Sequence, residues 1–201
     1  YEKIIKCTKE FWKLVGFWVA EGSLGNNRNK NYRRGEFEFS QKDDQIFSEL
    51  ADLADRILKA KGKRYCYDGV NRYIVWDKPF CYWLSKNFLD KNDDKTLPWF
   101  IAYLDDEKFE AFWEGLWLGD RKAPDRDAIS TSDNSLAGRL FAILNVRGEE
   151  VGIHKQRTNR KDNFIITRLK RPTHKILVKR LSTDHQDLVY DIEVENEDSF
   201  L

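Results

Sequence analysis

Two apolar octapeptides constrain this chain more than anything else in it. Residues 14–21 read LVGFWVAE and residues 113–120 read WEGLWLGD, 99 positions apart. Gly16 aligns with Gly115, Ala20 with Gly119, and Glu21 with Asp120. Each segment is apolar nearly all round, the pattern of a helix buried on every side. Small residues four apart share one helix face, and losing side chains there lets two backbones approach closely. The two helices are therefore expected to pack against each other through Gly16/Ala20 and Gly115/Gly119, with their C-terminal ends side by side.

That packing would put Glu21 next to Asp120. An acid at a helix C-terminus opposes the dipole, at a cost of roughly 0.3–1 kcal/mol, and a bound divalent cation reverses that cost. Two carboxylates with the free carbonyls of Ala20 and Gly119 make an all-oxygen donor set, which suits Mg²⁺. Such ions could activate a water and stabilise the leaving oxygen of a phosphodiester. Either helix alone would be an ordinary core helix ending in a solvated acid; the matched pair is what points to a metal site.

The repeat continues past the helices. Residues 39–43 (FSQKD) correspond to residues 129–133 (ISTSD), and both lead into amphipathic helices. The first has Ile46, Leu50, Leu53 and Ile57 at helical spacing, the second Leu136, Leu140, Ile143 and Leu144. Asp43 and Asp133 are expected N-caps. Residues 64–67 and 72–76 flank an Asp-Gly turn, a hairpin signal; residues 151–157 and 163–168 flank a polar loop. Residues 36–39 alternate as a half-exposed strand does. Pro98 is expected to start the segment leading into the second half. Each half therefore reads helix, strand, strand, helix, strand, strand, helix: an α+β fold.

Composition adds limits. Lys plus Arg is 35 against 34 Asp plus Glu, a net charge of +1, so this is no uniformly basic nucleic-acid domain. The charges are nevertheless sorted. Residues 155–180 hold ten basic residues and one acid, and residues 181–201 hold seven acids and no Lys or Arg, so a basic saddle with an acidic back is expected. Cys7, Cys66 and Cys81 are odd in number without CxxC spacing, which disfavours a disulfide framework and favours a reducing, intracellular setting. No apolar run approaches the roughly 20 residues of a membrane span, and no signal peptide is read. The chain contains no Met, so Tyr1 reads as a start left by processing, excision or trimming. His154, His174 and His185 show no triad or HExxH spacing and read as incidental.

The two octapeptides resemble the paired motifs of single-chain LAGLIDADG homing endonucleases of the intein-derived type. Residues 112–120 (FWEGLWLGD) are the closer copy; residues 14–21 carry Glu where Asp is commoner. Residues 95–101 (KTLPWFI) and 132–137 (SDNSLA) resemble the blocks that flank the second motif. The resemblance implies a pseudo-two-fold monomer of two αββαββα repeats, each offering a four-stranded antiparallel sheet to the DNA major groove. It divides the chain into a first half over 1–97, a second over 98–181, and a splicing-domain-like remnant over 182–201. It implies site-specific cleavage of a long double-stranded DNA target by Mg²⁺-dependent hydrolysis, with Mn²⁺ as a possible substitute and short 3′ overhangs. By motif position, Glu21 and Asp120 become the metal-binding carboxylates. Gln41 falls near the scissile phosphate with Thr131 as its partner, and Lys78 and Lys170 fall at the end of the fourth strand of each half, near the cut. Arg121 and Lys122 follow Asp120 where Gly is common.

Sequence readout needs donors and acceptors on strands that enter the major groove. Candidate DNA contacts in the first half are Arg28, Lys30, Arg33, Arg34, Glu36, Glu38, Arg64, Tyr65, Tyr67, Asn71 and Arg72. In the second they are Lys122, Arg126, Asp127, Ser130, Ser132, Lys155, Arg157, Arg160, Lys161 and Arg168. Alternation lets only about half of each strand face DNA. The expected partner is double-stranded DNA, with no membrane and no obligate protein partner. A catalytically decayed DNA-binding regulator and an RNA maturase aiding intron splicing are the alternatives. Residues 188–200 resemble the last strand pair of an intein splicing domain, but no splicing Cys or Ser stands at position 1 and no His-Asn at the end, so self-splicing is not expected.

Overall fold

The computed structural model describes residues 4–26, 33–119, 127–157 and 162–169. The chain divides into a compact unit over Tyr1–Arg171 and a second over Pro172–Leu201, the latter outside the described residues. Within the first unit the elements are α1 (Lys9–Glu21), β1 (Gly22–Asn26), β2 (Arg33–Gln41), α2 (Asp44–Leu58), β3 (Lys63–Tyr67), β4 (Val70–Trp76) and α3 (Lys78–Phe88). A 3₁₀ turn over Trp99–Tyr103, which Pro98 precedes, leads to α4 (Asp106–Gly119), β5 (Ala128–Thr131), α5 (Asn134–Val146), β6 (Val151–Arg157) and β7 (Asp162–Arg168).

Local chemistry explains the boundaries. The Asp43 carboxylate accepts from the N–H groups of Gln45 and Ile46, and Asp133 does the same for Ser135 and Leu136. These are the two expected caps, each satisfying donors that a helix start leaves orphaned. Asp68 and Gly69 both take positive φ, 49° and 70°, as a two-residue hairpin turn requires.

The first sheet has the order β1-β2-β4-β3, all antiparallel; the described strands of the second run β5-β7-β6. Helices cover one face of each. Phe37, Phe39, Tyr73 and Val75 point into the core of the first half, Ile129 and Ile166 into that of the second. The α1–α4 pair is the seam between halves. A Cβ on Gly16 would stand 2.0 Å from the Phe112 carbonyl oxygen, and one on Gly115 2.1 Å from that of Lys13. The backbones are therefore in direct contact, as the spacing of small residues predicts.

One boundary departs from the sequence reading. Asp77 ends the strand run by capping α3, its carboxylate accepting from the Phe80 N–H at 3.0 Å. Lys78 is thus the first residue of a helix and not the last of a strand.

Candidate metal and nucleic-acid interface

Glu21 is the last residue of α1 and projects at the seam. A Cβ on Gly119, the last residue of α4, would lie 2.3 Å from the Ala20 Cβ and 3.0 Å from the Glu21 Cγ. The ends of the two helices therefore meet, and Asp120 follows Gly119 directly; Asp120 itself lies outside the described residues. Burial at this junction pushes the Glu21 carboxyl above its ordinary value, while the charge of Lys95 acts in the opposite direction. Carboxylate and carbonyl oxygens are the donors a hard divalent cation takes, so the chemistry at this seam fits Mg²⁺ or Mn²⁺. Among the described residues alone no cluster of three or more His, Cys, Asp or Glu stands ready for a metal.

Lys95, from the connection between halves, occupies the end of α1. Its ammonium donates to the carbonyls of Trp18 at 3.0 Å, Val19 at 2.8 Å and Ala20 at 3.5 Å, and lies 5.4 Å from the Trp18 ring. A fixed cation thus answers the carbonyl end of the helix dipole where Glu21 cannot. The Ala20 carbonyl, expected as a metal donor, is one of its acceptors.

Gln41 joins this cluster. Its amide donates to the Leu118 carbonyl at 3.4 Å, and its Oε1 accepts from the N–H groups of Lys42 and Asp43 at 2.7 and 3.1 Å. Thr131 repeats the turn in the second half, its hydroxyl accepting from the Asp133 N–H at 3.1 Å. Lys78 stands elsewhere. It abuts Gly35 near the start of β2, six residues from Gln41 and about 20 Å along an extended strand. The expectation that Lys78 lies with Glu21 and Gln41 is thereby corrected; Lys170 lies outside the described residues.

Strand register decides which side chains the open faces present. Glu36, Glu38 and Ser40 pair with Trp76, Ile74 and Arg72, and Lys63, Tyr65 and Tyr67 with Ile74, Arg72 and Val70. Directly paired residues share a face, and this face is opposite the buried Phe37, Phe39, Tyr73 and Val75. Glu36, Glu38, Tyr65, Tyr67 and Arg72 are therefore on the open face, as a DNA-contacting role needs, and the Ser23 hydroxyl donates to Glu38. Lys63 and Trp76, absent from the sequence candidates, join them.

Arg64 and Asn71 are on the other face. Arg64 pairs in register with Tyr73 and reaches Asp52 at 2.6 Å and Asp55 at 2.9 Å on α2; the Asn71 amide donates to Asp44 at 2.6 Å. Both serve the sheet–helix joint. In the second sheet the buried Ile129–Ile166 pair identifies the covered face. By alternation Lys155, Arg157 and Arg168 share it. Arg168 reaches Glu110 and Glu149 and stacks 4.9 Å over Trp113; Lys155 pairs with Asp162 at 2.6 Å. Arg168 is thereby committed to α4 and its expectation is corrected, whereas Lys155 and Arg157 have the same strand parity but are exposed. Ser130 is on the open face, hydrogen-bonded with Asn163, and His154 and Gln156, unselected in the sequence, face the same way. Asp127 and Ser132 flank β5, and the Asp127 carbonyl accepts from the Arg168 N–H at 2.8 Å.

Arg28, Lys30, Lys122, Arg126, Arg160 and Lys161 lie outside the described residues, as do the side chains of Arg33 and Arg34. Over the described part of the first open face, Lys63 and Arg72 are matched by Glu36 and Glu38, so the expected basic saddle is not what these residues form. Ladder parity would have found Lys63 and His154, had the register been known.

No protein-family model matches this chain. Two curated relatives are DNA polymerases: one from Thermococcus sp. (strain GE8), 26% identical over 152 residues, and one from Thermococcus litoralis, 27% identical over 154. The matches cover 73% and 72% of this chain but 8% of each relative. Among solved structures, mesophilic variants of the homing endonuclease I-DmoI superpose with a TM-score of 0.60 at 17% identity, covering 82% of this chain and 90% of theirs. I-DmoI in complex with DNA and Mn gives 0.57 at 18%, covering 82% and 91%. The homing endonuclease I-WcaI bound to its DNA recognition sequence gives 0.55 at 12%, covering 83% and 78%. The N-terminal LAGLIDADG domain of DUF199/WhiA gives 0.50 at 14%, covering 81% and 76%.

Proposed function

We propose that this chain, which has the LAGLIDADG fold of homing endonucleases, is itself a site-specific DNA endonuclease dependent on a divalent metal, Mg²⁺ in the cell. The observation that carries the reading is the meeting of the α1 and α4 ends, where Gly119 abuts Glu21 and Gln41 reaches the Leu118 carbonyl. Glu21 and Asp120 would hold the metal. When bound, it supplies Lewis-acid stabilisation and an activated water for phosphodiester hydrolysis. Gln41, anchored on α4 and at its own turn, would hold a backbone phosphate over the seam. The open sheet faces would lie in the major groove on either side, with Arg72, Tyr65, Tyr67 and Glu38 among the first-half readers.

Both carboxylates come from one chain, so the proposed enzyme acts as a monomer and leaves short 3′ overhangs, inside the cell wherever the host gene's DNA lies. Matches confined to 8% of two DNA polymerases support an intein-borne origin, a segment carried within a much longer chain. The test is Mg²⁺-dependent cleavage of a randomised duplex library with sequencing of the cut ends. Asp120→Asn should abolish double-strand cleavage and keep binding. Binding without any nicking by the parent chain would mark a decayed regulator, and preference for a structured intron RNA would mark a maturase.

A further inference from the structure

Beyond the open face of the first sheet, a groove of about 790 Å³ runs between the end of α2 and the start of α3. Leu58 and Lys59 form one wall, Trp76, Lys78 and Tyr82 the other. Trp76 is 53% exposed and Tyr82 65% exposed. Each ring has a lysine beside it: the Lys78 ammonium is 5.8 Å from the Trp76 ring centre and that of Lys86 5.6 Å from Tyr82. The acid in this wall, Asp77, is buried and caps α3. The groove therefore shows solvent two aromatic faces among the ammonium groups of Lys59, Lys78 and Lys86.

Aromatic faces interleaved with cations suit a ligand with apolar sugar faces and regularly spaced anions, which is the chemistry of a nucleic-acid backbone. The groove is continuous with the face assigned to DNA, because Trp76 pairs in register with Glu36 on that face. Glu36 is five residues from Gln41, about 17 Å along the strand. A duplex centred on the Glu21 seam would thus reach the groove roughly five base pairs from the cut, at 3.4 Å per pair.

We propose that this groove binds the sugar–phosphate backbone of duplex DNA flanking the segment read by the first sheet. Lys59 and Lys78 hold phosphates, and Trp76 and Tyr82 pack against sugars. The proposal rests on the endonuclease reading above, and its test separates the two.

The whole chain is titrated against a labelled mixed-sequence duplex of about 40 base pairs at several salt concentrations. Loss of two phosphate contacts in K59A/K78A should lower the slope of log affinity against log salt by roughly two, and weaken binding at about 0.1 M salt at least about tenfold. W76A/Y82A should weaken binding with the slope unchanged. K108A, which removes one positive charge on α4, away from the groove, should change neither. On a duplex recovered from the cleavage library, hydroxyl-radical protection should shorten at one end in K59A/K78A. If the parent binds with a steep salt dependence and K59A/K78A keeps its slope and protected length, the groove is not a DNA site and the endonuclease reading stands. If the parent binds no duplex, both fall.

Discussion

The Phe112 carbonyl oxygen stands where a side chain on Gly16 would begin, 2.0 Å from the Cβ position. The contact is reciprocal across the repeat. Gly115 meets the Lys13 carbonyl in the same way, and Lys13 and Phe112 are themselves 99 positions apart, as Gly16 and Gly115 are. The pseudo-two-fold axis is thus written in backbone atoms. Nothing larger than hydrogen fits on either side of it.

Gly16→Ala should consequently destabilise the fold by roughly 3 kcal/mol, the upper range for overpacking a close-packed seam, since its obstacle is a carbonyl and no rotamer can yield. Gly115→Ala should match it. Denaturant unfolding of the two variants checks both, and an unchanged midpoint in either would contradict the seam.

Lys95 answers three terminal carbonyls of α1 with one ammonium. Lys95→Met keeps the length of the stem and removes the donor, so it should cost about 2 kcal/mol, readable as a lowered unfolding midpoint. Hydrogen exchange should accelerate in the last turn of α1 before other helices open.

Arg64 and Arg72 are eight residues apart and face opposite sides of one sheet. Arg64→Ala should cost about 1 kcal/mol of stability, as a partly exposed carboxylate pair allows, and leave the salt dependence of duplex binding unchanged. Arg72→Ala should leave stability nearly unaltered and weaken duplex binding. Parallel melting and binding measurements distinguish the two; exchanged behaviour would mean the opposite sheet face meets DNA.

Asp55 sets an acid limit on stability. Burial alone would raise its carboxyl, but the Gly62 N–H, the Tyr73 hydroxyl and Arg64 outweigh it and hold the group below its ordinary 3.8. The unfolded chain therefore binds the proton more readily than the folded one. The stabilisation is complete above the ordinary value and is lost as pH falls through the depressed folded value. Asp55→Asn should lower stability near neutrality and flatten its fall below about pH 4, as a set of denaturant titrations against pH would show.

What the residues alone determined is local or periodic. The paired apolar helices with small residues four apart, the Asp43 and Asp133 caps, the Asp68-Gly69 turn and the meeting of Glu21 with the end of α4 all follow from short-range chemistry or from a repeat. The tertiary structure decided matters of parity and reach. Arg64 and Arg168 share sheets with Arg72 and His154 yet serve the helices, because a strand's side chains alternate and a shift of one residue exchanges its two faces. Which face is covered depends on packing partners far away in sequence, such as Asp52 and Asp55 for Arg64. Lys95 reaches α1 across more than seventy residues of chain, and Lys78 was drawn into a helix start by the neighbouring Asp77. No spacing rule encodes the approach of Lys95, since it exists only once the connecting segment has folded back onto α1.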